Sequence, residues 1–217
     1  MLHLGRPRCV MVVAPHSDDE TIGAHALMSR LVAGGVAVRV VVVSDGSASH
    51  PGSLRWPRAR LVRERQRETR RAMRHLGVAA GSVAFLGLPD GRLDVAPAIA
   101  FGRIAAMLRR APKPMLVVAP GPTDDHPDHR VVAAAVAAPR IAGVRRLTYP
   151  VWPAGNRLRG ARLVRLTAQE RLAKRRAIGG YRTQTGLITD DPRGFAMTRR
   201  QIALFGGPAE TFVERRR

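Results

Sequence analysis

A chain of 217 residues with 45% hydrophobic content is long enough for one α/β domain, residues 1–217, with its own core. No apolar run approaches the roughly 18–20 residues that span a bilayer, the first residues lack a signal-peptide pattern, and a lone Cys9 excludes an internal disulfide, so a cytoplasmic protein is expected. The net charge of +21 invites a nucleic-acid reading, but only Lys113 and Lys174 are lysine and the arginines are scattered, which fits nonspecific attraction to polyanions and no specific nucleic-acid partner.

The predicted elements alternate almost to the end of the chain. Cys9–Ala14 reads as a continuous apolar strand, and Asp18–Gly34 as a helix with acids in its first turn. Val36–Ser44 is a second buried strand. The Arg-rich run from Arg55 to His75 keeps Leu61, Val62, Thr69, Ala72 and Met73 at roughly helical spacing, which predicts an amphipathic helix stopped at Gly77. Ser82–Leu88 is a third strand, Pro97–Arg110 a helix, Met115–Pro120 a fourth strand and His129–Ala138 a helix. Arg145–Trp152 is a fifth strand; beyond Pro153 the pattern loosens, and Gln169–Gly180 is the clearest helix there. This rhythm, with unbroken Val-rich strands, predicts a Rossmann-like three-layer sandwich: a mostly parallel sheet with helices on both faces.

Ligands of such sheets gather beyond the carboxyl ends of the strands. Two stretches fall there, "PHSDDE" (Pro15–Glu20) and "GPTDDHPDHR" (Gly121–Arg130). They hold six of the 16 acids and three of the seven histidines, a concentration that singles them out in so basic a chain. Imidazole and carboxylate are zinc ligands, and a catalytic zinc takes three of them with one position open. His16 with Asp19, and His126 with His129, are each spaced three apart at a strand-to-helix junction, so both pairs can enter one cavity. The alternative is that these acids only complement helix dipoles and cap helices. An Asp-Asp-Glu cluster holding magnesium for phosphoryl transfer is another reading, one that leaves the histidines without a purpose. A third is a non-enzymatic, Arg-rich nucleic-acid-binding protein on the same fold.

"APHSDDETIG" followed by "HPDHR" resembles the PIG-L/LmbE-like family of zinc-dependent N-acetylglucosaminyl de-N-acetylases. The resemblance extends through Arg65, Glu68, Ala72, Leu76 and Gly77, through Asp90 in "LGLPDGRL", and through Lys174, Ala177, Ile178, Tyr181 and Gln184. It implies one Zn2+ per chain held by His16, Asp19 and His129. It makes Asp18 the general base, and His126 the group that stabilises the oxyanion or protonates the departing amine. Arg65 and Asp90 become substrate-binding residues on the sugar side. Asp128 either orients a histidine or is a first-turn acid, Glu20 is structural, and Tyr181 and Gln184 support the site. The implied activity is hydrolysis of a linear amide, removing an N-acetyl or N-acyl group from a small-molecule amino-sugar substrate. The chain departs from the family's small-residue run after Gly23, where it has Ala24, His25 and Ala26; His25 reads as a packing histidine.

Overall fold

The computed structural model describes residues 4–156 and 158–214; the two ends of the expected domain, 1–3 and 215–217, lie outside the described residues. Among the described residues seven strands form one sheet: β1 (Cys9–Ala14), β2 (Ala37–Ser44), β3 (Val83–Leu88), β4 (Met115–Pro120), β5 (Val144–Tyr149), β6 (Arg162–Arg165) and β7 (Ala209–Glu214). Their order is β3-β2-β1-β4-β5-β7-β6, with β1 to β5 parallel and β7 antiparallel to both β5 and β6. Among the described residues six α-helices accompany them: α1 (Asp19–Ala33), α2 (Arg58–His75), α3 (Pro97–Arg110), α4 (Pro127–Ala137), α5 (Ala168–Gly179) and α6 (Arg199–Phe205).

Strand periodicity divides the core. Val10 and Val12 of β1, with Val38, Val40 and Val42 of β2, face α1, α2 and α5. Met11 and Val13, with Val41 and Val43, face α3 and α4. Successive side chains of a strand point to opposite faces, so a strand covered on both sides must be apolar throughout, as β1 is. Where β1 lies between β2 and β4, the chain order along the sheet reverses. The loops after β1 and β4 therefore part there and open a crevice at the carboxyl ends of the strands.

Three differences from the sequence reading matter for that crevice. First, α4 starts at Pro127 rather than at residue 129, with Pro127 in its first turn and His126 as the N-cap. A proline is tolerated there because its missing N–H would have had no partner. Second, α1 is broken at Ala24 (φ −143°, ψ 22°). The break frees the N–H groups of Ala26 and Leu27, which donate to the two carboxylate oxygens of Glu210 from β7 at 2.8 and 2.9 Å. Lys174 of α5 pairs with the same carboxylate at 2.9 Å, and both ions are buried. Glu210 thus caps the second half of α1 from the far end of the chain. Third, the loosened region after Pro153 contains β6, α6 and β7, so its last strand completes the sheet instead of wandering over the surface. Among the described residues no helix is long and apolar enough to cross a membrane.

Candidate active site

His16 follows β1, and Asp19 opens α1. Asp19 Oδ2 accepts the backbone N–H of His16 at 2.9 Å, which folds the loop back on itself. From the other loop, His129 in the first turn of α4 comes up beside them. Asp19 Oδ2 is 3.1 Å from His16 Nδ1 and 3.1 Å from His129 Nε2, and the two nitrogens are 3.2 Å apart. In tetrahedral coordination with bonds of about 2.0–2.1 Å, neighbouring ligand atoms are separated by about 3.3 Å. The three atoms therefore already stand at the edges of a zinc-sized site.

The remaining ring nitrogens say what those atoms are. His16 Nε2 faces two carboxylates, Asp90 Oδ1 at 3.1 Å and Asp128 Oδ2 at 3.2 Å, so it carries the proton. His129 Nδ1 faces Asp124 Oδ1 at 3.2 Å and carries its proton likewise. What converges is then two imidazole lone pairs and a carboxylate oxygen, three acceptors with no donor among them. A cation resolves that arrangement, and carboxylates behind ligating histidines are its usual accompaniment. Protons are drawn to the same acceptors. Burial opposes the charging of His129, but Asp19 and Asp124 outweigh it and raise its pKa to about 9. His16 is raised well above its usual value against the same burial, by Asp128, Asp19 and Asp90. Two other groupings, His16 with His126 and His129, and His16 with Asp90 and Asp128, also lie within ligand-sharing distance. The second is an N–H with its two acceptors, and in the first His126 has spent Nδ1 on the Asp128 N–H at 3.2 Å.

The carboxylates behind the histidines are themselves anchored to backbone. Asp128, fully buried, accepts the N–H groups of Gly91 (2.8 Å) and Leu93 (3.0 Å). Asp124 accepts those of His126 (3.1 Å), Val151 (3.1 Å) and Trp152 (2.9 Å). Asp90 accepts that of Ala48 at 2.8 Å.

Asp18 is the exception to this well-partnered pattern. Its φ of 124° is the one positive value at a non-glycine among the described residues, a conformation that costs about 1–3 kcal/mol and persists where surrounding structure enforces it. Burial, followed by the charge of Asp19, raises its pKa well above the ordinary carboxylate range, while Arg65, 3.9 Å away, opposes the shift. Arg65 is buried and donates to the carbonyls of Ser17 (2.9 Å) and Gly46 (3.1 Å), holding the floor under Asp18. Gly46 must be glycine: its φ is +71°, and a Cβ would sit 2.8 Å from the Arg65 side chain. Glu20 accepts the Asp18 N–H at 3.1 Å and hydrogen-bonds the Tyr181 hydroxyl; burial, partly offset by that bond, pushes its pKa to about 7. His25 lies away from the cavity lining, buried, with burial lowering its pKa to about 4.

These residues border a cavity of about 620 Å³. His16, Asp18, Asp19, Arg65, Asp90 and His126 line it, so the loops after β1 and β4, α2 and the turn after β3 bring every catalytic and substrate-side residue expected from the sequence to one cavity; His129 and Asp128 contact His16 but are not in the lining. Asp90 is engaged mainly with His16 and Ala48, and Arg65 with backbone carbonyls, so each supports the site as well as bordering it. Four contributors were not foreseen: Asp124 as the partner of His129, Glu210 as the cap of α1, and Trp152 and Phe195 in the cavity lining. The Asp-Asp pair before His126 was the only signal for Asp124. Phe195 belongs to a segment stitched to the loop after β2 by Phe195 N–H to Ser49 O (2.7 Å), Gly52 N–H to Asp191 (2.7 Å) and Ser53 Oγ to Asp190 (2.7 Å).

The family described as PIG-L, GlcNAc-PI de-N-acetylase, matches residues 11–139, which contain both loops. Among solved structures, the chain is similar to N,N'-diacetylchitobiose deacetylase from Pyrococcus horikoshii, with 21% identity, a TM-score of 0.72, and 96% of this chain and 84% of that one covered. It is similar to the conserved protein TT1542 from Thermus thermophilus at 28% identity and a TM-score of 0.64, covering 94% and 93%. The zinc-inhibited form of a teicoplanin deacetylase shares 21% identity at a TM-score of 0.68, covering 95% and 98%. No curated protein matches the chain.

Proposed function

The chain belongs to the PIG-L family of de-N-acetylases and is a hydrolytic deacetylase; from that premise we propose that it binds one zinc ion and removes an N-acetyl group from an amino-sugar-containing small molecule. The observation that carries the reading is the triangle of acceptors, His16 Nδ1, Asp19 Oδ2 and His129 Nε2, with edges of 3.1–3.2 Å. In this reading the whole chain, 1–217, works as one domain in the cytoplasm.

A zinc ion held there supplies Lewis acidity, polarising an amide carbonyl and lowering the pKa of water from 15.7 to about 7. The protein's own groups do the rest. Asp18 borders the cavity beside the ligands and takes the proton of the attacking water. Its strained backbone and raised pKa suit a carboxylate that must receive a proton and then release it. His126 accepts the Asp128 N–H through Nδ1, so its neutral ring presents an Nε2–H to the cavity. That hydrogen stabilises the oxyanion of the tetrahedral intermediate, a donor of the kind worth about 10²–10³ in rate. Protonation of the departing amine follows from the acid that the first step creates at Asp18. Asp90 and Asp128 hold His16, and Asp124 holds His129, so neither ring turns away during the reaction. The two imidazoles among three converging ligand atoms favour zinc over the magnesium site of a phosphoryl-transfer enzyme, which takes oxygen ligands.

The test is acetate release across a panel of N-acetylated amino sugars, with metal-stripped protein as the control. Purified protein should hold about one zinc per chain and lose activity on stripping. Full activity of the stripped protein, or metal retained after His16→Ala and His129→Ala, would refute the assignment.

A further inference from the structure

Two other residues of the cavity lining, Asp125 and Trp152, have their own chemistry. Asp125 is exposed there, and its carboxylate makes no hydrogen bond or ion pair among the described residues. The neighbouring Arg130 donates instead to the main-chain carbonyls of Asp124 (2.9 Å) and Asp125 (2.7 Å). Asp125 N–H donates to Trp152 O at 3.3 Å, while Trp152 N–H donates to Asp124 Oδ2 at 2.9 Å. The loops after β4 and β5 are therefore sewn together at this point, and both are tied to the carboxylate that buttresses His129. The Trp152 ring is held edge-on by Phe195 (6.0 Å between centroids) and Phe205 (5.4 Å). A carboxylate free of partners and an indole lining the same cavity are groups that bind an ammonium, the first by charge and the second by the face of its ring.

The rest of the lining points the same way. Among the described residues Arg65 is its one guanidinium, with both terminal nitrogens given to carbonyl oxygens, whereas Asp18, Asp19, Asp90 and Asp125 are all carboxylates. The exterior of this +21 chain attracts anions, yet among the described residues the cavity lining holds no lysine and no arginine with a free terminal nitrogen.

We propose that Asp125 and Trp152 form a subsite for a cationic group, so that the preferred substrate is an N-acetyl sugar joined to an ammonium-bearing sugar. The inference deepens the deacetylase reading and rests on it. Three disaccharides test it, each with N-acetylglucosamine as the reacting ring and differing in the second: glucosamine, N-acetylglucosamine or a uronic acid. The wild type should show the largest kcat/KM on the ammonium-bearing compound, about three- to fivefold above the neutral one, and the smallest on the carboxylate. In Asp125→Asn that cationic-to-neutral ratio should fall to about 1, and raising the ionic strength should lower it in the wild type. Trp152→Leu should raise KM for the ammonium-bearing compound more than Trp152→Phe does. Equal rates on all three substrates, preference for the carboxylate, or a ratio that survives Asp125→Asn would overturn the subsite while leaving deacetylation intact. No acetate from any substrate with zinc-loaded protein would instead remove the deacetylase reading. Calorimetric binding of the fully deacetylated glucosamine disaccharide then decides the subsite alone: its Kd must weaken about three- to fivefold in Asp125→Asn, and an unchanged Kd overturns it.

Discussion

The loops after β1 and β4 both spell His-x-x-ligand, and they are built in opposite ways. The second is relaxed: Pro127 sits where a proline costs nothing, His126 caps its helix, and Asp124 and Asp128 each satisfy two or more backbone N–H groups. The first is under load. Asp18 holds φ at 124°, three carboxylates are buried in sequence, and α1 breaks at Ala24 and is recapped by Glu210. In the proposed reading the relaxed loop supplies one ligand, His129, through ordinary helix-start chemistry, whereas the loaded loop supplies two ligands and the base, and its strain falls at Asp18, the proposed base, where the surrounding structure bears the cost.

The sharpest way to break this comparison is to remove a ligand. Asp19→Ala should lose the metal and at least about 10³-fold in activity, with metal content as the check. Asp18→Asn comes next: it should keep zinc while kcat falls about 10²–10⁴-fold, and a wild-type rate would sink the base assignment. Its companion Asp18→Gly tests the load itself. Removing a strained backbone and a buried charge should raise stability by about 1 kcal/mol in denaturant unfolding while abolishing turnover. On the relaxed loop, Asp124→Asn should weaken metal affinity only about 10–100-fold, seen in a competition titration against a chelator.

The smallest effect concerns His25, on α1 beyond the break. Its pKa is depressed from the ordinary 6.5 to about 4, first by burial, so the folded state prefers the neutral ring. The unfolded chain binds that proton more readily. This contribution is therefore complete above pH 6.5 and is lost as pH falls toward 4, where it levels off. It is worth at most about 3 kcal/mol, and His25→Leu should remove that part of the pH dependence from unfolding curves.

Much of the architecture was legible. Cys9–Ala14, Pro97–Arg110 and Met115–Pro120 have the same bounds in the structure as in the sequence reading, because each is an uninterrupted pattern closed by a turn or a proline. β6 and β7 were not. "RLVR" and "AETFVE" are short, half-polar and at the sheet's margin, and only pairing with each other and with β5 makes them strands. Likewise, the clustering of acids and histidines exposed the two loops, while nothing near Glu210 announced a carboxylate that serves N–H groups 184 and 183 residues away.

By itself, then, the sequence determined that a parallel sheet would form and that two ionisable loops would follow its first and fourth strands, since apolar continuity and residue spacing are local properties of the chain. The tertiary structure decided what each of those groups does. Whether a carboxylate holds a histidine, caps a helix or stands free at a cavity rim depends on which distant backbone and side chains occupy its few ångströms of surroundings, and only the folding of β1 against β4 and of the last strands onto the sheet settles that.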